Sequence, residues 1–125
     1  MDERLIKSAH GLSFPDAVAR LTEAGVVRYT VDLIRCERTL YGLDDETLQD
    51  DVAVDTKLEV SPHFTEATLR SALAAVQAGQ IDYAAFLAQI MAAGVASYAV
   101  FIRGRKVVYT GRNGDALTEP FPGGK

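Results

Sequence analysis

Residues 24–33, AGVVRYTVDL, and residues 93–102, AGVASYAVFI, decide the fold of this 125-residue chain. The second stretch repeats the first at an offset of 69 positions, so that Tyr29 aligns with Tyr98 without a gap. A match at a fixed offset indicates an internal duplication, which constrains architecture more strongly than local propensity does. The sequence therefore predicts two equivalent structural units.

Each predicted unit, about residues 13–43 and 82–112, is a helix followed by a glycine and two strands. Apolar residues recur at helical spacing up to Gly25 and Gly94, where helices commonly end. Beyond each glycine they alternate with other residues, as in strands. We expect a single α+β domain over residues 1–125, with the two hairpins joined into an antiparallel sheet and the helices packed on one face.

The rest of the chain gives weaker signals. The acidic stretch 44–55 is typical of a solvated loop, and residues 57–60 have the composition of a short strand. Residues 65–79 predict another helix that stops at a glycine, and a short helix is expected at the start of the chain. A tight turn at Asn113-Gly114 predicts a further strand over residues 116–119.

Composition and charge exclude several classes of protein. The 48% apolar content and net charge of −4 are those of a folded soluble domain, not of a disordered or membrane protein. Cys36 is the only cysteine, so no internal disulfide forms, and without an apolar N-terminal stretch we expect a cytoplasmic protein. The histidines and carboxylates lack metal-ligand spacing, so we expect no metal or cofactor.

The second hairpin and the turn after it carry a cluster of basic residues beside an aromatic one: Arg103, Arg105, Lys106, Arg112 and Tyr109. Such a cluster could bind nucleic acid, with the tyrosine stacked on a base. Exposed turn charges explain the cluster more simply, and the acidic balance of the whole chain argues against a nucleic-acid partner.

Tyr29 and Tyr98 hold matching positions in the two units, on the strand faces that should meet the helices. Packing in the core is the simpler explanation for both. The alternative is a ligand cleft along the seam between the units, to which His10 and Asp32 would contribute acid–base groups. No nucleophile or second acid forms a recognisable pattern with them, so we identify no catalytic residues.

The second hairpin is apolar on both faces, because Ala99, Phe101 and Val108 alternate with the residues that point toward the core. Something must cover this additional apolar face. One explanation is intramolecular, with residues 44–60 or Phe121 lying over it. The other is a homodimer or an unidentified protein partner, since contiguous exposed apolar patches usually mark association.

The chain resembles the YbcV-like family of phage-associated bacterial proteins, sometimes labelled phage envelope protein-like. The resemblance covers nearly the whole chain through mostly core and turn residues, namely Ala9-His10, Phe14-Pro15, Gly25-Val26, Tyr29, Val31-Asp32, Tyr41-Gly42, Asp82-Tyr83, Phe86, Gly94-Val95, Tyr98, Val100 and Tyr109. It implies a fold but no mechanism, because the family has no known function. The chain departs from the expected pattern at Phe101, where an acidic residue would match Asp32.

Taken together, these features favour a non-enzymatic, phage- or prophage-related interaction protein that dimerises through the Phe101 face. The alternative is a small-ligand-binding protein or small enzyme with a cleft between the two repeats. The sequence names no substrate, partner or pathway.

Overall fold

The computed structural model of the protein describes residues 1–52, 54 and 57–121, which form four α-helices and six strands. The first half contains α1 (Glu3–Ser8), α2 (Phe14–Glu23), β1 (Val26–Asp32), β2 (Glu37–Gly42) and β3 (Thr47–Asp51), with one 3-10 turn at Leu43–Asp45. The second half contains α3 (Glu66–Gln77), α4 (Tyr83–Ala92), β4 (Val95–Phe101), β5 (Lys106–Gly111) and β6 (Ala116–Pro120).

The helices begin and end at the residues that the sequence indicates. The Ser13 hydroxyl accepts a hydrogen bond from the Asp16 amide at the start of α2, and an Asp82 carboxylate oxygen accepts one from the Ala85 amide at 2.8 Å at the start of α4. Gly25 and Gly94 follow the two helices with φ of +92° and +93°. Only glycine adopts this backbone conformation without strain, so both glycines turn the chain from helix into strand.

The six strands form one antiparallel sheet in the order β3-β2-β1-β4-β5-β6, with β1 and β4 paired at its centre. This confirms the predicted α+β class and the antiparallel joining of the two hairpins. In each half, the second helix and the three strands begin 69 residues apart, at the same offset as the sequence repeat. The geometric equivalence thus extends beyond the predicted helix-hairpin unit, while the duplication itself stays a prediction.

The core lies on one face of the sheet, which we call the inner face. Strand residues on this face are buried against the two helix pairs, α1 with α2 and α3 with α4; they include Tyr29, Val31, Leu40, Tyr98, Val100, Val107, Tyr109 and Leu117. The alternate residues of the same strands point to the opposite, outer face and are half-buried or exposed. The predicted packing of helices on one face is confirmed.

Two predictions for the segment between the halves were wrong. Residues 47–51, expected in a solvated loop, form the edge strand β3, because Leu48 pairs opposite Leu40 and the Asp50 carboxylate pairs with Arg38. Residues 57–60, expected as a strand, pair with no strand. Instead, Val60 is buried in the core and the Ser61 amide donates to the Met91 carbonyl at 2.9 Å, which anchors this segment to the end of α4. Asp55, part of the acidic stretch, lies outside the described residues.

The short strand predicted after Asn113-Gly114 is confirmed as β6. The helices predicted at the start of the chain and after Thr65 are confirmed as α1 and α3. Within the described ranges, no helix has the length and apolar character needed to cross a bilayer; the longest, α3, has 12 residues.

Replacing Gly94 with alanine is expected to destabilise the protein far more than the same change at the equivalent Gly25. Both variants place a side chain at a left-handed backbone position, which costs about 1–2 kcal/mol. A Cβ at Gly94 would also overlap the backbone carbonyl of His63, whereas at Gly25 the nearest atom is the Met1 Cα at 4.0 Å. We expect Gly94→Ala to lose at least about 2 kcal/mol more in urea unfolding. Equal losses would show that residues 63–64 move aside freely.

Candidate functional site

Four tyrosines lie together on the inner face, and we call them the tyrosine cluster: Tyr29 on β1, Tyr83 on α4, Tyr98 on β4 and Tyr109 on β5. The hydroxyls of Tyr83 and Tyr98 are 2.6 Å apart and share a hydrogen bond. Tyr98 and Tyr109 are directly opposite in the sheet register, and their ring centroids lie 5.6 Å apart. The cluster is therefore built by strand alternation together with the first residue of α4.

An ion pair borders this cluster on the side of the edge strand. Arg38 on β2 lies opposite Val31 and so shares the inner face, where its Nε and Nη2 donate to the two carboxylate oxygens of Asp50 at 2.9 and 2.6 Å. Its guanidinium carbon is 5.6 Å from the centroid of the Tyr29 ring. The Arg38 side chain is only 14% exposed, so the two-point pairing compensates for the loss of water around its charge.

Burial determines the chemistry of the cluster. It raises the pKa of Tyr29, Tyr98 and Tyr109 above the ordinary value of 10.0. Loss of water around its hydroxyl also raises the pKa of Tyr83, although 49% of the Tyr83 surface is exposed. All four hydroxyls therefore stay protonated at neutral pH, where they can donate and accept hydrogen bonds but are poor bases and nucleophiles. Tyr109 is also buried too deeply to stack on a base. The hypothesis that the basic cluster of the second hairpin binds nucleic acid therefore loses its aromatic contact.

The structure brings together only part of the predicted ligand cleft. Tyr29 and Tyr98 are neighbours in the cluster, but they are 7% and 6% exposed and do not line an open surface. Asp32 points to the outer face, where one carboxylate oxygen accepts from the amides of Ile34 and Arg35 at 2.9 and 3.0 Å and holds the β1–β2 turn. His10 is exposed just after α1. Within the described ranges, no three His, Cys, Asp or Glu side chains are grouped as a metal site requires.

Sequence reasoning missed three residues of this region: Arg38, Asp50 and Tyr83. Arg38 could have been found, because it alternates with Leu40 in β2 and must therefore share the inner face. Asp50 could not, because β3 has no apolar alternation strong enough to show it as a strand. The approach of Tyr83 to Tyr98 depends on how α4 lies over the sheet, which no local pattern encodes.

The outer face is the second candidate site and contains the predicted interface residues. Ala99, Phe101 and Val108 are half-buried on it, and the sheet register places the outer residues in three rows across the strands. The central row is uncharged: Thr39, Thr30, Ala99, Val108 and Thr118. The cationic row is Tyr41, Arg28, Phe101 and Lys106, and the acidic row is Asp51, Glu37, Asp32, Ser97 and Thr110.

The charges of these outer rows are held in place by local contacts. The Arg28 guanidinium stacks on the Tyr41 ring at 3.6 Å from its centroid. Glu37 pairs with Arg35 at 2.7 Å and accepts a hydrogen bond from Gln49. The outer face therefore carries an uncharged central row between the cationic row and the acidic row.

The intramolecular cover considered for this face was wrong for the described residues. The Phe121 ring packs edge-on against Phe14 of α2, with ring centroids 5.3 Å apart, and so lies on the helix side of the sheet. Residues 47–51 extend the sheet at its edge as β3, and Val60 belongs to the core. Among the described residues, these candidates therefore lie away from Ala99, Phe101 and Val108.

The stability of the protein is expected to fall as the pH rises above about 10. The buried tyrosines stay protonated in the folded state while those of the unfolded chain ionise near pH 10, so unfolding releases protons and alkali favours it. Each tyrosine that ionises only on unfolding contributes a slope of up to about 1.4 kcal/mol per pH unit. Tyr29→Phe keeps the ring and removes one hydroxyl, so its slope between pH 9.5 and 11 in urea unfolding should be shallower. Tyr41→Phe, on the outer face, is the matched comparison. If the slope for Tyr29→Phe equals that of the unmodified chain, burial does not raise the pKa of Tyr29.

Comparison with known proteins adds a family but no activity. No curated protein matches the chain. A family model described as a protein of unknown function, DUF1398, matches residues 7–119. This range includes the last two residues of α1, the other three α-helices and all six strands except Pro120 at the end of β6. The chain therefore belongs to the DUF1398 family, whose function is unknown.

Proposed function

We propose that this protein is a non-enzymatic interaction protein that forms a homodimer through the outer face of its sheet. The observation that carries this proposal is a group of three neighbouring apolar residues on the outer face, half-buried Ala99, Phe101 and Val108. A solvated sheet face normally carries polar residues, as the threonines and charged residues around this group do. A group of adjacent apolar residues on such a face is typical of a contact surface.

The arrangement of charge favours a second copy of the chain as the partner. A twofold axis along the central row would set the cationic row of each copy over the acidic row of the other. Arg28 of one copy would then lie opposite Asp32 of the other, because both residues are on β1. The uncharged central rows would pack against each other, so each strong charge near the middle of the interface meets its opposite.

The other face-to-face arrangement, with the twofold axis parallel to the strands, is less favourable. It would place β1 over the partner's β4, so that Asp32 meets Ser97 and Glu37 meets Thr110. Asp32 would lose water without gaining a cation, whereas Glu37 faces an uncharged residue in both arrangements, Tyr41 in the first and Thr110 here, and keeps its own pair with Arg35. Removing water from an unpaired carboxylate costs several kcal/mol, so charge selects the first arrangement.

The size of the face sets the expected strength of association. Six strands about 4.8 Å apart and about five residues long give a surface of roughly 24 by 17 Å. Two such faces would bury about 800 Å² in total, less than the roughly 1,200–2,000 Å² of stable specific interfaces and in the range of weak, transient ones. We therefore expect a dimer that dissociates on dilution rather than a permanent one.

The biological setting rests on the resemblance alone. The core and turn residues shared with the YbcV-like family support a phage- or prophage-related role in the bacterial cytoplasm. The alternative of a small enzyme or ligand-binding protein with a cleft at Tyr29 and Tyr98 has less support, because both side chains are buried and their raised pKa keeps them protonated.

Light scattering over a range of concentrations is expected to give a mass that rises from 13.5 kDa toward twice that value. Phe101→Asp should leave the fold intact, because residue 101 is half-exposed and pairs with Lys106 and Arg28, but it should weaken association at least about tenfold by burying an added charge. Leu12→Asp, an exposed apolar residue in the turn between α1 and α2, is the control and should dimerise normally. A monomer at every concentration overturns the proposed function.

Charge exchange tests the orientation. Arg28→Asp and Asp32→Arg should each weaken the homodimer, since each sets like charges opposite one another. A mixture of the two variants should form the heterodimer, in which both contacts are again between opposite charges. Asp32→Arg also removes a turn cap worth about 1 kcal/mol, so circular dichroism at the measuring temperature accompanies the light scattering. A homodimer that tolerates both changes would exclude this orientation while leaving the interface in place.

A further inference from the structure

A cavity of about 530 Å³ lies at the end of the sheet where β1 turns into β2. It is open to solvent on one side and is lined by that turn, Val54, the last turn of α4, residues 58–62 and the turn after β5. None of these lining residues belongs to the tyrosine cluster or to the three outer rows. The volume falls within the range of small-molecule sites in proteins.

The buried part of the cavity is aliphatic, and two of its walls are held by backbone hydrogen bonds. Leu33, Val60 and Met91 form the buried part, while Ile34 and Leu58 stand at the opening with 55% and 37% of their surface exposed. Backbone hydrogen bonds of 2.9 Å hold two of the walls, from the Leu33 amide to Ala96 and from the Ser61 amide to Met91. The cavity is therefore preformed rather than created by a ligand.

The equivalent turn in the other half provides an internal comparison. Arg103 and Arg105 stand between β4 and β5 where Ile34 and Cys36 stand between β1 and β2, and both turns use a left-handed residue, Cys36 at φ +57° and Arg105 at φ +56°. The turn geometry thus requires neither an isoleucine nor a cysteine. Ile34, together with Leu58, therefore offers exposed aliphatic surface to a ligand at the opening of the cavity.

Two charged side chains at the cavity set the polar part of that ligand. Arg112 and Glu59 both line it, and neither makes an ion pair with any other described residue. Arg112 offers hydrogen-bond donors to a carboxylate. Glu59 repels any anion, so a carboxylate ligand must lie nearer to Arg112 than to Glu59, and ligands with two or more negative charges are disfavoured most.

We infer that this cavity binds a small carboxylic acid with an apolar body, whose carboxylate meets Arg112 and whose hydrocarbon part lies against Ile34 and Leu58. This ligand site is separate from the dimer interface and does not depend on it.

The single cysteine makes the site directly testable. Cys36 lines the cavity, so the rate at which its thiol reacts with Ellman's reagent reports on occupancy of this cavity alone. Octanoate is expected to slow the reaction several-fold at saturation and to give a measurable dissociation constant by calorimetry. 1-Octanol, with the same chain and no charge, should bind about tenfold more weakly.

Matched surface variants assign the contacts. Ile34→Ser should weaken octanoate about fivefold, whereas Leu43→Ser, which changes a side chain of nearly equal exposure (53%) outside the cavity, should have no effect. Arg112→Gln should abolish the preference for octanoate over 1-octanol, and Arg103→Gln should preserve it. The inference is overturned if octanoate fails to protect Cys36. It is also overturned if octanoate protects Cys36 in Ile34→Ser and in Arg112→Gln as well as it does in the unmodified chain.

Discussion

The antiparallel pairing of β1 with β4 is the contact on which the rest of the structure depends. It joins two halves, each with a helix pair and three strands, through residues whose side chains alternate between the core and the outer face. Without it, each half would present an unpaired inner strand and an incomplete core. The pairing places Tyr29 beside Val100 and Val31 beside Tyr98, so the centre of the core belongs to both halves at once.

This central pairing also determines where polar chemistry can occur. Because both helix pairs lie on the inner face, polar groups there must be neutral or paired, as in the tyrosine cluster and in the contact of Arg38 with Asp50. Within the described residues no buried side-chain nitrogen or oxygen is left without a partner. The outer face is free of that requirement, so charged residues can lie there in partly exposed rows on either side of an uncharged central row.

Local patterns were sufficient to predict most of the fold. The glycine at each change from helical to alternating period located α2, α4 and the strands that follow, and Asn113-Gly114 located β6. They failed between the halves, where β3 depends on pairing with β2 and on neutralisation of Asp50 by a residue 12 positions away. The strand expected at residues 57–60 failed for the opposite reason: its composition suits a strand, but the segment pairs with no strand in the described sheet.

The candidate sites were predictable only in part. Alternation alone identified both the buried tyrosines and the apolar face of the second hairpin. The same alternation places Asp32 and Tyr29 on opposite faces of the sheet. The predicted cleft, which contained both residues, was therefore inconsistent with the strand periodicity. The cavity beside Cys36 could not be foreseen, because it arises where four segments distant in sequence meet.

The two edge strands of the sheet limit how far this protein can assemble. β3 and β6 are only five residues long; β3 ends in two aspartates, and β6 ends in Glu119 and Pro120, which has no amide hydrogen to offer an incoming strand. Addition of a further strand at either edge is therefore disfavoured. The proposed contact through a face with a twofold axis would be complete with two chains, so the edges of the sheet would keep such a homodimer from growing into ribbons by strand addition.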